Sequence, residues 1–401
     1  MIKIGNLEID KFYLGDTSDA KIYLGNVKVW PKEEEEPSET YPYAFQRVSR
    51  GGSAYTVDCN STSSNTIGSG DTQSGLSSSE INGSTSNKTP VSVVFGDCCQ
   101  SIGSGACSEW TYLTSVTISD NVTSLGANSF YNTLRIEHLK IGSGITQINN
   151  SYTFHSTGKS GSTKPDLDLS ANVGLNVGKY GFYFCYFNNV IFPNNCTLSS
   201  QSFMYCSAST LSFGSGTIIS KVGTYTPAFG SSKISNIDLN GVTLIGDYAF
   251  KNTSGYTSIT IPSSVTTFGS GAFNSVSGLN SVTIDYASNA TLKSSQFTDS
   301  SITSLTIGSH PTSIGDSMFR KCTKLTTLVI PSNISSIDGY AFDGCSGLRS
   351  ITVESTTPPT LGSNVFNNTS CPIYVPSGSV NAYKAAYGWS SYASRIQAIP
   401  T

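Results

Sequence analysis

Thr257 to Gly278 reads TSITIPSSVTTFGSGAFNSVSG, and Thr326 to Gly347 reads TTLVIPSNISSIDGYAFDGCSG. Both run through the same events: a short alternating stretch ending on Ile261 or Ile330, a Pro turn, a second apolar residue seven positions on (Phe268, Ile337), and a Phe twelve positions on (Phe273, Phe342). Taking the last apolar residue of each short strand as an anchor, the series runs Phe95, Ile118, Ile141, Leu169, Phe192, Phe213, Leu239, Ile261, Ile284, Ile307, Ile330, Val353, Val375. Most steps are 22 or 23 residues, and the outlying steps of 21, 26 and 28 belong in loops. Self-similarity at such a period marks a solenoid, in which each unit buries its apolar face only against its neighbours. A length of 401 residues would otherwise suggest two or three domains.

Inside a unit, apolar residues fall five and two before the anchor and at it, as in Leu279, Val282 and Ile284. The last two alternate with Ser or Thr (Ser281, Thr283), the period of a strand with one buried face. An apolar residue followed by Gly (Ile102-Gly103, Leu125-Gly126, Ile245-Gly246, Ile314-Gly315) suggests a tight turn. The Phe column (Phe130, Phe154, Phe182, Phe203, Phe229, Phe250, Phe273, Phe297, Phe319, Phe342, Phe366) reads as the spine of one continuous core. Cys185, Cys206, Cys322 and Cys345 each lie three residues after such a Phe, the place of a small inward-facing apolar residue. Ten cysteines in this length fall far below the density of a disulfide scaffold.

The two quoted units resemble the BspA-like leucine-rich repeats, whose unit reads approximately LxxIxIPxxVxxIGxxAFxxCxx, and the resemblance extends over roughly residues 90 to 398. It implies a mainly β fold: a leucine-rich-repeat solenoid of about 13 rungs. The ending from Cys371 through Trp389, with Tyr392, Arg395 and Ile396, resembles that family's C-terminal cap, read as a last strand and a short helix from about Ser379 to Tyr387. The expected organisation is a β attachment or oligomerisation module at 1–30, an acidic Pro-bounded linker at 31–40, and an irregular Ser/Thr/Gly-rich N-terminal cap at 41–89. The solenoid follows at 90–370 and the C-terminal cap at 371–401.

Residues 1–30 alternate strongly and carry an internal echo, KFYLGD (Lys11 to Asp16) against KIYLGN (Lys21 to Asn26), with Gly-Asp and Gly-Asn as hairpin turns. Thirty residues cannot bury a core of their own, so this module is expected to pack on another chain. Its opening is similar to those of phage virion proteins, especially tail-associated ones. That resemblance implies docking to other virion proteins through Phe12, Tyr13, Ile22, Tyr23 and Trp30, in a homo-oligomer, a trimer by expectation.

Composition removes several function classes. Charged residues make up 12% of the chain and the net charge is −3, so no cationic field is present to draw a phosphate backbone. No apolar run is long enough to cross a bilayer, and residues 1–5 lack a secretory apolar core, so the expectation is a chain that starts in the cytoplasm and does not insert in a membrane. His138, His155 and His310 are remote from second ligands, no CxxC occurs, and no nucleophile elbow, HExxH or phosphate loop is present. No enzyme activity, metal or cofactor is expected. Asp247, Asp316 and Asp338 read as turn residues rather than Ca²⁺ ligands.

The positions just after the Phe spine should face solvent. They are aromatic in the early units (Tyr131; His155; Tyr183 and Phe184; Tyr205) and polar later (Ser231, Lys251, Asn274, Arg320). An aromatic stripe of this kind marks an interaction surface, whose flat rings suit sugar faces as well as proteins. The leading expectation is therefore a phage tail-associated adhesin located in the virion, whose solenoid contacts a host surface glycan or protein. Alternatives are a structural virion component packed through its solenoid, and a bacterial BspA-like cell-surface adhesin.

Overall fold

The computed structural model describes the strands Ile2–Ile4, Leu7–Ile9, Ile22–Leu24, Val27–Trp30, Ala54–Val57 and Thr66–Ile67, and residues 91–400 apart from 97–98, 150–151, 159–162 and 221–225. The chain divides into two compact units, Met1–Pro42 and Tyr43–Thr401.

In the first unit, Ile2–Ile4 pairs antiparallel with Leu7–Ile9, and Ile22–Leu24 with Val27–Trp30. Ile4 faces Leu7 at the end of the first pair, and Leu24 faces Val27 at the end of the second. Ile22, Tyr23 and Trp30 lie on the second hairpin, whose register shifts between Ile22 and Tyr23. Phe12 and Tyr13 lie outside the described residues.

The second unit is a parallel β-solenoid of about 13 turns. Its first strand row carries the anchors: Ile261 aligns with Ile284 and Ile307, and Ile330 with Val353. Strands in this row alternate exposed and buried residues, with Ser258 and Thr260 outward and Ile259 and Ile261 inward. Ser258, Ser281 and Ser304 are cross-strand neighbours, as are Thr260, Thr283 and Thr306, so a hydroxyl-bearing face forms. A second row of two- to four-residue strands follows each anchor, and seven of them, from Gln147–Ile148 to Thr291–Leu292, make one parallel sheet. Val57 and Ile67 lie on strands that pair in register with Phe95 and Ile102, so both rows extend into the segment read from sequence as an irregular cap.

The third side of each turn holds the Phe. Except at Pro227, before Phe229, the residues two before and two after it adopt left-handed backbone, as at Tyr180 (φ 63°) and Phe184 (φ 58°) around Phe182, and Tyr248 (φ 56°) and Asn252 (φ 58°) around Phe250. Such conformations cost about 1–2 kcal/mol for a residue with a Cβ, and none of the non-glycine residues adopting them is β-branched. Inter-rung hydrogen bonds offset that cost. The Phe154 N–H donates to the Gly181 carbonyl (3.0 Å), Phe250 to Ala272 (2.8 Å), and, two residues after the Phe, Ser156 to Tyr183 (3.0 Å). Rings from Phe130 to Phe366 therefore stack at the rung spacing, with centroids 4.8–5.9 Å apart and planes within 24°. All are buried.

Two sequence expectations change here. The Gly after the second strand does not supply positive φ in rungs such as those of Gly126 and Gly269. It is required because a Cβ would collide with the backbone of the preceding rung, at Ser104 and Gly246 respectively. The position three after Phe, buried as expected, is also a hydrogen-bond donor site in most rungs, Val276 being the apolar exception. Cys206 Sγ donates to the Phe182 carbonyl (2.8 Å) and Cys345 to Phe319 (3.1 Å), while Ser232 donates to Phe203 (2.9 Å) and Thr253 to Phe250 (2.8 Å). A buried Phe carbonyl needs such a partner, and a thiol or a hydroxyl serves. The eight described cysteines are buried and form no disulfide, and burial raises the pKa of Cys196 and Cys345 to about 12, which removes thiolate reactivity from those two.

The C-terminal cap closes the stack. Helix α1, Val380–Ala385, is shorter than expected, and it is followed by a 3₁₀ segment, Trp389–Arg395, and a strand, Ile396–Ala398, that pairs parallel with Ile373–Val375. Trp389 lies over Phe366 (5.8 Å), and its indole N–H donates to the Pro359 carbonyl (2.8 Å). The Tyr392 hydroxyl accepts the Phe366 N–H (3.2 Å), the group that a further rung would have paired. Arg395 donates to the Thr369 and Cys371 carbonyls.

Candidate functional site

The early rungs place a second aromatic stack outside the Phe spine. Tyr131 stacks on His155 (4.9 Å, 25°), His155 on Tyr183 (5.5 Å, 26°), and Phe184 on Tyr205 (4.8 Å, 22°), with Tyr183 meeting Tyr205 edge-on (5.5 Å, 90°). Every residue that the sequence assigned to the stripe thus joins one contiguous ladder, half-buried except Tyr205, which is 37% exposed. The neighbouring Phe187 instead turns into the core and is fully buried.

Two rings escaped the sequence reading. Tyr152 and Tyr180 lie two before their Phe and stack on each other (4.8 Å, 6°), with Tyr152 edge-on to His155 and Tyr180 edge-on to Tyr183. Their signal was a Tyr recurring at that position, also seen at Tyr248 and Tyr340, in the left-handed slot before the spine. Lys179 Nζ lies over Tyr180 (4.6 Å). Burial raises the Tyr183 pKa, and the phenols of Tyr205, Tyr180 and Tyr152 reinforce the shift.

The stacking alters what the stripe can do. Within the ladder the ring faces are covered by one another, so edges and hydroxyls point outward instead of flat platforms. This corrects the expectation that the stripe as a whole suits sugar faces: the ladder presents an uncovered face only where it ends.

Elsewhere the chemistry is sparse. A cleft of about 410 Å³ opens on the strand face where the 28-residue step parts the first row, lined by Glu137, His138, Lys140, Lys164 and Asp166 among others. Pro165 occupies the place from which Glu137, one rung earlier, donates its N–H to Thr114, and it has no N–H to give. Asp166 is engaged by Asn188 and Asn189, and Lys164 by Ser207. His310 pairs with Asp285 (2.9 Å). Asp247 accepts the Ser270 N–H (2.7 Å), a turn role. Asp316 and Asp338 stand at successive turn positions rather than side by side, because Ile314 aligns with Ile337 and so Asp338 lies beside Gly315. Among the described residues no group of three His, Cys, Asp or Glu gathers as a metal site, and no helix is long and apolar enough to cross a membrane.

The model of the BspA type leucine rich repeat region matches residues 82–164, 175–286 and 243–372, well over half of the chain. Among solved structures, the chain is similar to a leucine-rich repeat protein from Bacteroides ovatus (19% identity, TM-score 0.33, covering 78% of this chain and 92% of that one). It is also similar to a leucine rich cell surface protein from Faecalibacterium prausnitzii (18%, TM-score 0.32, 77% and 83%) and to the pneumococcal vaccine antigen PcpA (11%, TM-score 0.36, 94% and 97%). These superpositions are loose and carry no argument of their own. No curated protein matches the sequence. With the 23-residue frame, the Phe spine and the capped end all in place, the repeat model decides the matter: the chain belongs to the BspA type leucine-rich-repeat family.

Proposed function

We propose that this protein is an adhesin-type recognition protein without catalytic activity, which contacts a partner surface through the aromatic ladder of its early rungs and acts at a bacterial cell surface. The observation that carries this reading is the confinement of the ladder. The positions filled by Tyr131, His155, Tyr183 and Tyr205 are Lys251, Asn274 and Lys321 in later rungs of the same backbone, so folding does not demand rings there. Aromatic side chains that the scaffold does not need, held rigid and half-exposed, match the residues that dominate protein recognition surfaces. Fluorescently labelled protein applied to a panel of bacterial and animal cells tests this. Wild type should adhere and the Tyr131→Asn/Tyr183→Asn/Tyr205→Asn variant should not, while equal adherence of the two would reject the ladder as the contact.

The separate unit Met1–Pro42, with its two echoing hairpins, favours a second setting, a phage virion in which residues 1–30 dock to other virion proteins and the solenoid meets the host. Immunolabelling of purified particles against cell envelopes separates the two. Light scattering of the full chain tests for the trimer.

A further inference from the structure

The ladder stops abruptly at Tyr205. One face of that ring is covered by Phe184, and among the described residues no ring lies against the other. On that open side the next rung offers Gly230 and Ser231. The Tyr205 N–H donates to the Gly230 carbonyl (3.0 Å) and the Ser231 N–H to the Lys251 carbonyl (3.0 Å), so Ser231 stands one rung beyond Tyr205 and Asn252 two. The three share one backbone conformation (φ 59°, 54° and 58°) and so project their side chains in one column. Tyr205, Ser231 and Asn252 are all exposed. The small side chain of Ser231 at the middle rung therefore leaves a slot between the Tyr205 and Asn252 positions, with the Ser231 hydroxyl at its floor. At a rung spacing of about 4.8 Å, and with carbon surfaces in contact at about 4 Å, the slot admits one saturated ring laid on Tyr205.

We propose that this slot binds a single uncharged pyranose unit of a glycan, which stacks its C–H face on Tyr205 and hydrogen-bonds its rim hydroxyls to Ser231 and Asn252. This inference rests on the recognition reading above and names its ligand class. The electron-rich face of a phenol attracts C–H groups of positive polarity, and a pyranose carries them on one face with hydroxyls around its edge. The far wall supplies a neutral amide and hydroxyl, with both donor and acceptor capacity. Lys251, one rung further on, is turned away, since its Nζ lies over the Tyr248 ring (5.0 Å). The remaining ladder stiffens Tyr205 through Phe184 and Tyr183, which lowers the ordering cost of binding.

Saturation-transfer NMR of the full chain with methyl glucosides, galactosides and mannosides as probes tests the proposal. At least one probe should receive transfer on the C–H protons of one ring face. Tyr205→Ala should weaken that binding about tenfold, and Ser231→Tyr should abolish it by adding a ring to the ladder. That substitution is compatible with the fold because Tyr205 itself occupies the equivalent left-handed position. Tyr387→Ala, which removes a 94% exposed ring on the C-terminal cap outside the ladder, should leave transfer unchanged. No transfer to any probe, or transfer indifferent to Tyr205→Ala and Ser231→Tyr, overturns the proposal. If labelled wild-type protein still adheres to cells in a Tyr183-dependent manner in that case, the adhesin reading stands without the sugar site; if adherence is absent too, both fall.

Discussion

The rungs around Phe154 and Phe182 and those around Phe319 and Phe342 share one backbone and one spine but differ outside it. In the early rungs, the outward positions one or two after the Phe hold Tyr131, His155, Tyr183 and Tyr205, joined by stacked and edge-on ring contacts. In the late rungs the same positions are charged or polar. Arg320 donates from Nε to Asp343 (2.9 Å) and lies over Tyr340 (5.5 Å), and Asn368 donates to the other oxygen of Asp343 (2.9 Å). Two unrelated chemistries thus serve the same scaffold, which teaches that the inner column specifies the fold and the outer column is free to specialise.

The sharpest way to break that comparison is to treat both columns alike. Phe182→Ala and Phe319→Ala should each cost about 3–5 kcal/mol, in the early and the late half alike, read as accelerated hydrogen exchange of the ladder amides around the altered rung. Equal losses support a common spine; a loss confined to one half would mean that the halves are built differently. Tyr183→Ala, one position outward, should cost only about 1–2 kcal/mol for its lost ring contacts, yet remove adherence. Asp343→Ala should cost about 1 kcal/mol, since it strips Arg320 and Asn368 of their shared carboxylate. Because Arg320 is half-exposed, that difference should shrink in high salt. A salt response in the Tyr183 variant would blur the distinction.

The smallest effect is alkaline. Burial raises the pKa of Tyr183 above the ordinary value of 10.0, and it raises Tyr256 and Tyr286, in the polar half, further still. For such groups the unfolded phenol ionises first. Their stabilisation is complete below about pH 10 and declines as pH rises through the tyrosine range. Absorbance titration should show Tyr183 ionising before Tyr256 and Tyr286, and Tyr183→Phe should remove one phenol from the phase that precedes theirs.

Much of this was legible in the residues. The anchors and the Phe column follow from spacing alone, because a solenoid repeats each contact at a fixed offset, whereas the cap was read from the resemblance of the ending to the family's. The stripe was legible as a list of outward residues, but not as a ladder. Whether rings present faces or edges depends on how rungs stack, and no single rung's sequence encodes that. Tyr152 and Tyr180 were missed because their left-handed backbone swings them to the outer side, whereas a strand-like or helical count places them elsewhere. The role of Cys206 and Cys345 as donors to Phe carbonyls was hidden for a related reason: the acceptor belongs to the preceding rung.

The account turns on the outer column carrying recognition while the inner column carries the fold. The most direct test replaces Tyr131, His155, Tyr183 and Tyr205 by the polar residues of the late rungs (Tyr131→Lys, His155→Asn, Tyr183→Lys, Tyr205→Asn) and measures cell adherence beside hydrogen exchange of the Phe amides. The account predicts exchange close to wild type with adherence lost. Retained adherence in a folded variant would contradict it.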